Sequence, residues 1–157
     1  MRYFIRERMS KMPSIMKHIG IINRCAILFR SERLKGTGLN GIHHTYIINI
    51  CKNPGISQER LSGLIYINKS NVTRQLVKLE DNGYVRRVPS PTDKRVMLVY
   101  PTQKALDALP VVMGVLNEWS GSIFACLDGE ELAKLEKTLL KISKKATETV
   151  EDDQNER

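Results

Sequence analysis

The feature that most constrains the fold is a helical apolar pattern that ends in a glycine and leads directly into two short β-prone stretches. Apolar side chains recur over residues 69–82 at the spacing of one helix face, and they are Val72, Leu76 and Leu79. Gly83 follows, and glycine readily takes the positive φ that ends a helix. The stretches 84–88 and 96–100 flank a tip rich in proline and charge, which predicts a β-hairpin immediately behind the helix.

A short helix with good capping residues comes before this pattern. Ser57 can cap the short helix, and Asn68 can cap the helix that follows it. The short helix has two leucines that we expect to be buried, Leu61 and Leu64. Another helix is predicted over residues 40–51. The order helix, turn, short helix, turn, helix, hairpin over residues 40–102 predicts a winged helix-turn-helix.

Three longer helices flank this unit, and each has a continuous apolar stripe. The first is predicted over residues 10–33, the second after the cap Thr102 with a bend at Pro110, and the third from Asp128. The stripes run from Ile15 to Phe29, from Leu106 to Leu127 and from Leu132 to Ala146. A small winged helix cannot cover all three stripes, so an isolated chain would expose them. The predicted fold class is therefore mainly α with a small β-hairpin wing, a winged helix-turn-helix joined to a helical dimerisation region.

Basic residues are concentrated in two segments of the chain. The 157 residues include 25 lysines and arginines against 17 acidic residues, a net charge of +8. Residues 68–95 hold seven basic and three acidic side chains, and residues 1–35 hold nine and two. This excess indicates a polyanion, either nucleic acid or an anionic membrane surface, although a solvated face explains the N-terminal segment equally well. No apolar run reaches the ~18–20 residues of a membrane span, and the basic start does not resemble a signal peptide.

The helix over residues 69–82 has a polar face opposite its apolar one. The residues predicted on or beside that face are Lys69, Ser70, Asn71, Thr73, Arg74 and Lys78. Donors near a helix start can reach base edges in the major groove, and a helix N-terminus favours phosphate. An ordinary amphipathic surface helix shows the same pattern, so the pattern alone leaves both interpretations open.

The predicted hairpin adds basic residues on its first strand, Arg86 and Arg87, and at its tip, Lys94 and Arg95. An arginine at a loop tip can enter a narrow minor groove, where the negative potential is enhanced. Asp93 can orient the Arg95 guanidinium through a charge-assisted pair. The alternative is a surface ion pair of little energetic value.

Four motifs in the middle of the chain stand at a distinctive spacing. They are Pro54-Gly55-Ile56-Ser57-Gln58-Glu59-Arg60-Leu61, Ile67-Asn68-Lys69-Ser70-Asn71-Val72-Thr73-Arg74, Leu79-Glu80-Asp81-Asn82-Gly83-Tyr84-Val85-Arg86-Arg87, and Asp93-Lys94-Arg95 with Pro101-Thr102. By these motifs, residues 38–104 resemble the MarR family of bacterial winged-helix regulators. The chain departs from the family pattern after the wing, where Pro101-Thr102 and Ala105 replace Leu-Thr and a glycine, and at Pro110.

The resemblance implies a sequence-specific DNA-binding transcriptional regulator that binds a pseudo-palindromic operator as a homodimer, most often as a repressor. It implies recognition helices about 34–36 Å apart in the dimer. The implied regions are an N-terminal dimerisation helix (1–37), a winged helix-turn-helix (38–102) and C-terminal dimerisation helices (103–149). The acidic residues near the end separately predict a frayed tail (150–157). The residues predicted to contact DNA are Ser57, Lys69, Ser70, Asn71, Thr73, Arg74, Lys78, Arg86, Arg87, Asp93, Lys94 and Arg95.

Many members of the family bind a small aromatic or phenolic effector between the dimerisation region and the winged helix, and release DNA when they do. The candidate residues for such a cleft are His18, His43, His44 and Tyr46, although core or surface filling is the commoner role of such side chains. Some relatives bind zinc through histidines spaced four apart on the long helix after the wing. This chain has no histidine after His44, so neither a metal site nor a cofactor is predicted.

Two alternatives stay open beside effector-controlled repression. Some relatives sense peroxide through a cysteine in the first helix, so Cys25 suggests a redox-responsive repressor, although a free cysteine is more often a small buried hydrophobe. An effector-independent architectural DNA-binding protein is the other. The three cysteines form neither a disulfide framework nor a metal clip, which fits a cytoplasmic protein. No Gly-rich phosphate loop, nucleophile elbow or His-Glu-x-x-His motif is present, so no enzyme is predicted.

Overall fold

The computed structural model describes the backbone of residues 2–155 and the side chains of residues 14–152. Over this range the chain is mainly α-helical with one small antiparallel sheet. In chain order the elements are α1 (Arg2–Arg33), α2 (His43–Lys52), β1 (Ile56–Ser57), α3 (Gln58–Ile65), α4 (Lys69–Asp81), β2 (Val85–Pro89), β3 (Met97–Pro101), α5 (Gln103–Phe124) and α6 (Gly129–Asn155). The predicted fold class is confirmed.

The helix ends differ from the prediction where the apolar pattern gives no signal. α1 begins at Arg2 rather than near residue 10, because the stripe that predicted it starts only at Ile15. α2 begins at His43 rather than at residue 40, since the Asn40 side chain accepts a hydrogen bond from the amide of Ile42 and holds a turn before the helix. Both hairpin strands are shifted by one residue from the predicted stretches.

The C-terminal tail was predicted to fray from about residue 150, and this is wrong for the described residues. α6 continues to Asn155 without a break. The acidic run that suggested a tail includes Glu151 and Asp152, which lie on this helix. The side chains of residues 153–157 lie outside the described part of the chain.

The sheet contains a strand that the sequence did not reveal. Its order is β1-β3-β2, and both pairings are antiparallel. Ile56 lies opposite Val99 on one side of β3, and Arg87 lies opposite Val99 on the other. β1 has only two residues, which is too short to show a periodic pattern. It ties the start of α3 to the wing.

The core of the winged helix lies between α2, α3, α4 and the sheet. Val72, Leu76 and Leu79 are fully buried there, as predicted. Leu61 is also buried, but Leu64 is 49% exposed, so its predicted burial is wrong. The core-facing residue of that turn is Ile65, four positions after Leu61, because three positions carry a helix just short of a full turn.

The loop before α2 is seated against α1. Arg30 Nε donates to the Gly41 carbonyl oxygen at 2.8 Å, and the Gly41 amide donates to Ser31 Oγ at 2.9 Å. A Cβ at position 41 would stand 2.1 Å from the carbonyl oxygen of Ile27. Only glycine allows the two backbones to approach this closely.

The chain forms two compact units, residues 1–119 and 120–157. In the first unit, α1 contacts α5 through the Arg33–Glu118 ion pair (2.6 Å) and the rings of Phe29 and Trp119. In the second unit, α6 begins one residue after the predicted start at Asp128, and Asp128 caps it, because its Oδ1 accepts from the amides of Glu130 and Glu131 at 2.9 Å.

No single helix in the described part of the chain is long and apolar enough to cross a membrane, and only α5 and α6 taken together across their break reach that length and composition.

Candidate nucleic-acid interface

The start of α4 presents a polar, basic face to solvent. Asn68 caps the helix, because its Oδ1 accepts from the Asn71 amide at 2.8 Å. The exposed side chains of this face are Lys69, Ser70, Thr73, Arg74 and Lys78, with the half-buried Asn71 beside them. The predicted polar face is therefore accessible along its whole length.

The preceding helix α3 holds this helix start in place. Ser57 Oγ accepts from the Arg60 amide at 3.1 Å, which makes Ser57 the predicted N-cap of α3. At the other end, Tyr66 takes a left-handed φ of 53° and turns the chain towards α4. Thr73 Oγ1 donates towards Gln58 Oε1 at 3.2 Å. The first turn of α3 and the second turn of α4 are thus joined side by side.

An ion pair links the same two helices at their exposed edge. Lys69 Nζ donates to Glu59 Oε1, and this bond and the lysine charge lower the pKa of the Glu59 carboxyl. The carboxylate of Glu59 therefore partly balances the positive charge of Lys69 in the free protein. An approaching phosphate would compete with Glu59 for it.

The tip of the wing carries Lys94 and Arg95 into solvent. Asp93 Oδ1 accepts from the backbone amide of Arg95 at 3.0 Å, which differs from the predicted pairing with its guanidinium. Asp93 therefore shapes the turn and fixes where the Arg95 side chain leaves the backbone. Arg86 lies on β2 with its guanidinium 5.3 Å from the centre of the Tyr100 ring.

Arg87 is engaged within the protein. Its Nε and Nη2 donate to Glu80 Oε2 at 2.8 and 2.6 Å, and its amide donates to Glu80 Oε1 at 2.8 Å. Burial alone would raise the pKa of Glu80, but the hydrogen bonds and charge of Arg87 outweigh burial and hold that pKa below its usual range. The structure thus uses Arg87 to join β2 to the last turn of α4, where the sequence predicted a phosphate contact.

The helix start and the wing tip open onto one shared hollow, which we call the interface hollow. It has a volume of about 220 Å³. Its lining residues are Gln58, Glu59, Lys69, Thr73, Arg95, Val96 and Met97. Two cations from different elements therefore border one concave surface at a helix N-terminus, an arrangement suited to a polyanion.

Comparison with known proteins agrees with this geometry. Residues 37–96 match the model of the MarR family. HTH-type transcriptional regulator YybA of Bacillus subtilis is 29% identical over 101 residues, which cover 64% of this chain and 67% of that regulator. A MarR protein of Peptoclostridium difficile has a similar structure, with a TM-score of 0.83 at 27% identity over 86% of this chain and 88% of that one. The winged-helix part of the chain, residues 37–96, is thus similar to the MarR family in sequence and in fold.

A MarR family regulator of Listeria monocytogenes solved with a 26-mer DNA has the same fold, with a TM-score of 0.77. It is 23% identical, and the match covers 85% of this chain and 89% of that one. The relatives that the chain resembles are transcriptional regulators and not enzymes, which supports a DNA-binding regulator.

The residues predicted for an effector cleft differ in their burial. His43 is only 2% exposed, and its two ring nitrogens are within hydrogen-bond distance of the Asn40 amide (3.2 Å) and of Gln75 Oε1 (3.1 Å). Burial lowers the pKa of His43. Tyr46 is fully buried in the core. Both residues fill the core, which is the commoner role that the sequence left open.

The other two effector candidates have different surroundings. His44 is half-buried, and its Nδ1 lies 3.1 Å from the Gly41 carbonyl oxygen. Burial, together with the charge of Arg30, lowers the pKa of His44. His18 is exposed on α1. Of the four candidates, His43 and Tyr46 lie edge to face in the core with ring centroids 6.3 Å apart, whereas His44 is half-buried and His18 is exposed.

The three cysteines are free thiols. Cys25 and Cys126 are exposed, and Cys51 is half-buried, where burial raises its pKa. No group of three or more His, Cys, Asp or Glu side chains among the described residues could hold a metal ion.

Sequence reasoning missed three residues that shape the interface, Gln58, Gln75 and Glu80. Glu80 is part of the MarR motif Leu79-Glu80-Asp81-Asn82-Gly83, so the motif marked its position without giving its role. Gln58 and Gln75 act through contacts between elements, and the sequence gives no spacing signal for those contacts.

Proposed function

We propose that this chain is a cytoplasmic, homodimeric repressor that binds a pseudo-palindromic operator. The observation that carries the proposal is the interface hollow, where Lys69 at the exposed start of α4 and Arg95 of the wing border one concave surface and outnumber its single carboxylate, Glu59. A winged helix inserts such a helix into the major groove while the wing reaches the neighbouring backbone or minor groove. Occupation of an operator beside a promoter then blocks transcription.

The exposed residues of α4 are the proposed base-reading group. Ser70, Arg74 and Lys78 are exposed on successive turns, with Asn71 beside them. Arg95 is the proposed minor-groove residue. Arg86 and Lys94 are proposed phosphate contacts, whereas Arg87 is left out because Glu80 binds it.

Exposed apolar side chains support the homodimer. Ile15 is 60% exposed on α1, and Leu140 is 69% exposed on α6. Further exposed apolar residues on α1, α5 and α6 are Met16, Ile22, Leu28, Leu106, Val111, Leu132, Leu139 and Ile142. A second copy of the chain is the proposed cover for these surfaces, because this much exposed apolar area is unusual for a monomer.

An apolar hollow in the second unit supports the same arrangement. It has a volume of about 530 Å³, and its lining includes Phe124, Leu132, Leu135, Leu139 and Leu140. Side chains of a partner helix are the proposed filling of this hollow. The regions 1–37 and 103–149 are accordingly proposed as the dimerisation region, and 38–102 as the DNA-binding region.

The deciding experiment measures affinity for the DNA upstream of the chain's own gene, in excess non-specific DNA. The wild type is expected to bind tightly and to lose affinity steeply with salt, because bound lysines and arginines replace counterions. Arg95→Ala is expected to weaken specific binding by ~1–3 kcal/mol without unfolding the protein.

The matched control is Lys141→Ala, which removes one exposed positive charge from α6. This variant is expected to keep wild-type affinity. Full affinity in Arg95→Ala would remove the wing from the mechanism, and equal affinity for any DNA would favour an architectural protein.

Release by a small aromatic or phenolic effector is part of the proposal on the ground of the resemblance to the MarR family. The test repeats the binding measurement with phenolic compounds. A parallel series with oxidant tests the redox alternative, with Cys25→Ser as its control because Cys25 is exposed. Loss of binding in oxidant that Cys25→Ser abolishes would favour the redox alternative.

A further inference from the structure

A chain of hydrogen bonds runs from the loop before α2 to the DNA-facing side of α4. The Asn40 amide lies 3.2 Å from His43 Nδ1, His43 Nε2 lies 3.1 Å from Gln75 Oε1, and Gln75 Nε2 lies 3.4 Å from Asn71 Oδ1. The last contact is at the long end of the hydrogen-bond range. These hydrogen bonds thus join α2 to the first turn of α4.

The first hydrogen bond of this series fixes which atoms donate and which accept in the others. A backbone amide can only donate, so His43 Nδ1 must accept and His43 Nε2 must carry the ring proton. His43 therefore donates to Gln75 Oε1, which turns the Gln75 amino group towards Asn71. Because that group can only donate, Asn71 must direct its Oδ1 inward.

Asn71 is consequently left with its Nδ2 to present outward. This nitrogen has no acceptor among the residues that the structure describes. His43 is almost fully buried and Gln75 is half-buried, so solvent has little access to the bonds that set the orientation. An amide that is free in solution presents either its oxygen or its nitrogen, whereas this one has a fixed polarity.

We propose that His43 and Gln75 are positioning residues that make Asn71 a hydrogen-bond donor to DNA, and so set which base edges it accepts as partners. The inference rests on the proposed function, because it assumes that the α4 face meets DNA. A donor at this position favours the acceptor edges of the major groove, which are N7 and O6 of guanine, N7 of adenine and O4 of thymine. It disfavours the amino groups of adenine and cytosine.

The test uses Gln75→Glu, which keeps the shape of the side chain and replaces its amino donor by an acceptor oxygen. A carboxylate still accepts from His43 but can only accept from Asn71, so Asn71 must rotate and present Oδ1 outward. Wild type and variant are each used to select binding duplexes from a random-sequence DNA pool. We expect the preference at one position per half-site to move from acceptor to donor base edges by about tenfold.

Two further variants make the result specific. Asn71→Ala is expected to lose the preference at that same position and thereby to identify it. Gln75→Met leaves the Asn71 amide without a fixed partner, so it is expected to flatten the preference while retaining binding. An unchanged selected motif in Gln75→Glu, with affinity retained, would overturn the inference and leave the proposed function standing.

A second measurement does not depend on DNA or on any variant. The ¹⁵N shifts of the imidazole nitrogens in the wild-type protein report which one carries the proton. We expect His43 to be the neutral tautomer protonated at Nε2, and protonation at Nδ1 would overturn the inference. If the wild type selects no motif at all, the proposed function itself fails and the inference falls with it.

Discussion

At the scale of single residues, the core contains two buried tyrosines that differ in one hydrogen bond. The Tyr84 hydroxyl donates to the Thr37 carbonyl oxygen at 2.7 Å. The Tyr46 hydroxyl is buried and has no hydrogen-bond partner among the described residues. A buried polar group without a partner loses the hydrogen bonds that it makes to water in the unfolded chain.

This contrast predicts opposite effects of the same substitution. Tyr46→Phe removes an unsatisfied hydroxyl and is expected to leave the free energy of unfolding unchanged or to raise it by about 1 kcal/mol. Tyr84→Phe leaves the Thr37 carbonyl without its donor and is expected to lower it by about 1 kcal/mol. Urea unfolding of the two variants beside the wild type measures both effects. A loss of stability in Tyr46→Phe would show that its hydroxyl has a partner.

At the scale of elements, the wing depends on a pair from the end of α4. Glu80 accepts three hydrogen bonds from the side chain and amide of Arg87 on β2. Only 18% of the Arg87 side chain and 34% of the Glu80 side chain are exposed, so solvent screens this pair less than a surface pair. The position of the wing relative to α4 is set by this contact as well as by the sheet.

Glu80→Gln is expected to destabilise the protein by about 1–2 kcal/mol, less than the loss of a fully buried pair. Its effect is expected to depend on pH. The folded protein holds the pKa of Glu80 below its unfolded value, so the pair contributes fully above the usual glutamate pKa, and its contribution is lost as pH falls through the lowered one. Unfolding measured between pH 7 and pH 3 is expected to show a weaker acid-side loss in the variant.

Glu118→Gln is the control for this experiment, because both partners of the Arg33–Glu118 pair are about half exposed. It is expected to change stability little. An equal loss in both variants would contradict a special role for the Glu80–Arg87 pair in joining the wing to α4.

The elements themselves were largely predictable, because each depends on neighbouring residues. The spacing of Val72, Leu76 and Leu79 predicted the buried face of α4, and Gly83, with φ of +74°, ends that helix as expected. What the sequence could not supply were contacts between distant segments. The two-residue β1 exists only through its pairing with β3, and the hydrogen-bond partner of His43 Nε2 is Gln75, thirty-two positions away.

At the scale of the whole molecule, the same distinction applies to the candidate site. The exposed residues of α4 and the wing tip follow from local patterns, whereas the internal use of Arg87 follows from a packing contact. A basic residue on a strand can bind a phosphate or a neighbouring carboxylate, and only the fold shows that Glu80 is within reach.

The proposed dimer predicts a change of oligomeric state on a single substitution. Leu140→Glu places a charge on an exposed apolar surface of α6, where burial against a partner would require its desolvation. Dimer affinity is expected to fall at least about tenfold, measured by analytical ultracentrifugation over a range of concentrations. Operator affinity is expected to fall with it.

Leu64→Glu is the matched control, since Leu64 is a similarly exposed leucine on α3, outside the proposed dimerisation region. This variant is expected to sediment as the wild type does. A wild-type chain that sediments as a monomer at every concentration would contradict the proposed dimer.

The close contact of Gly41 with α1 limits how the loop before α2 can move. The loop before α2 has no clearance for a methyl group at Ile27, and hydrogen bonds from Arg30 and to Ser31 hold it on both sides. Sliding this loop along α1 would require breaking those bonds and separating two backbones. In the proposed dimer, a change in the direction of α4 is therefore expected to involve a tilt of α1 together with the loop before α2, and the joining of the two copies would then set the distance between their recognition helices.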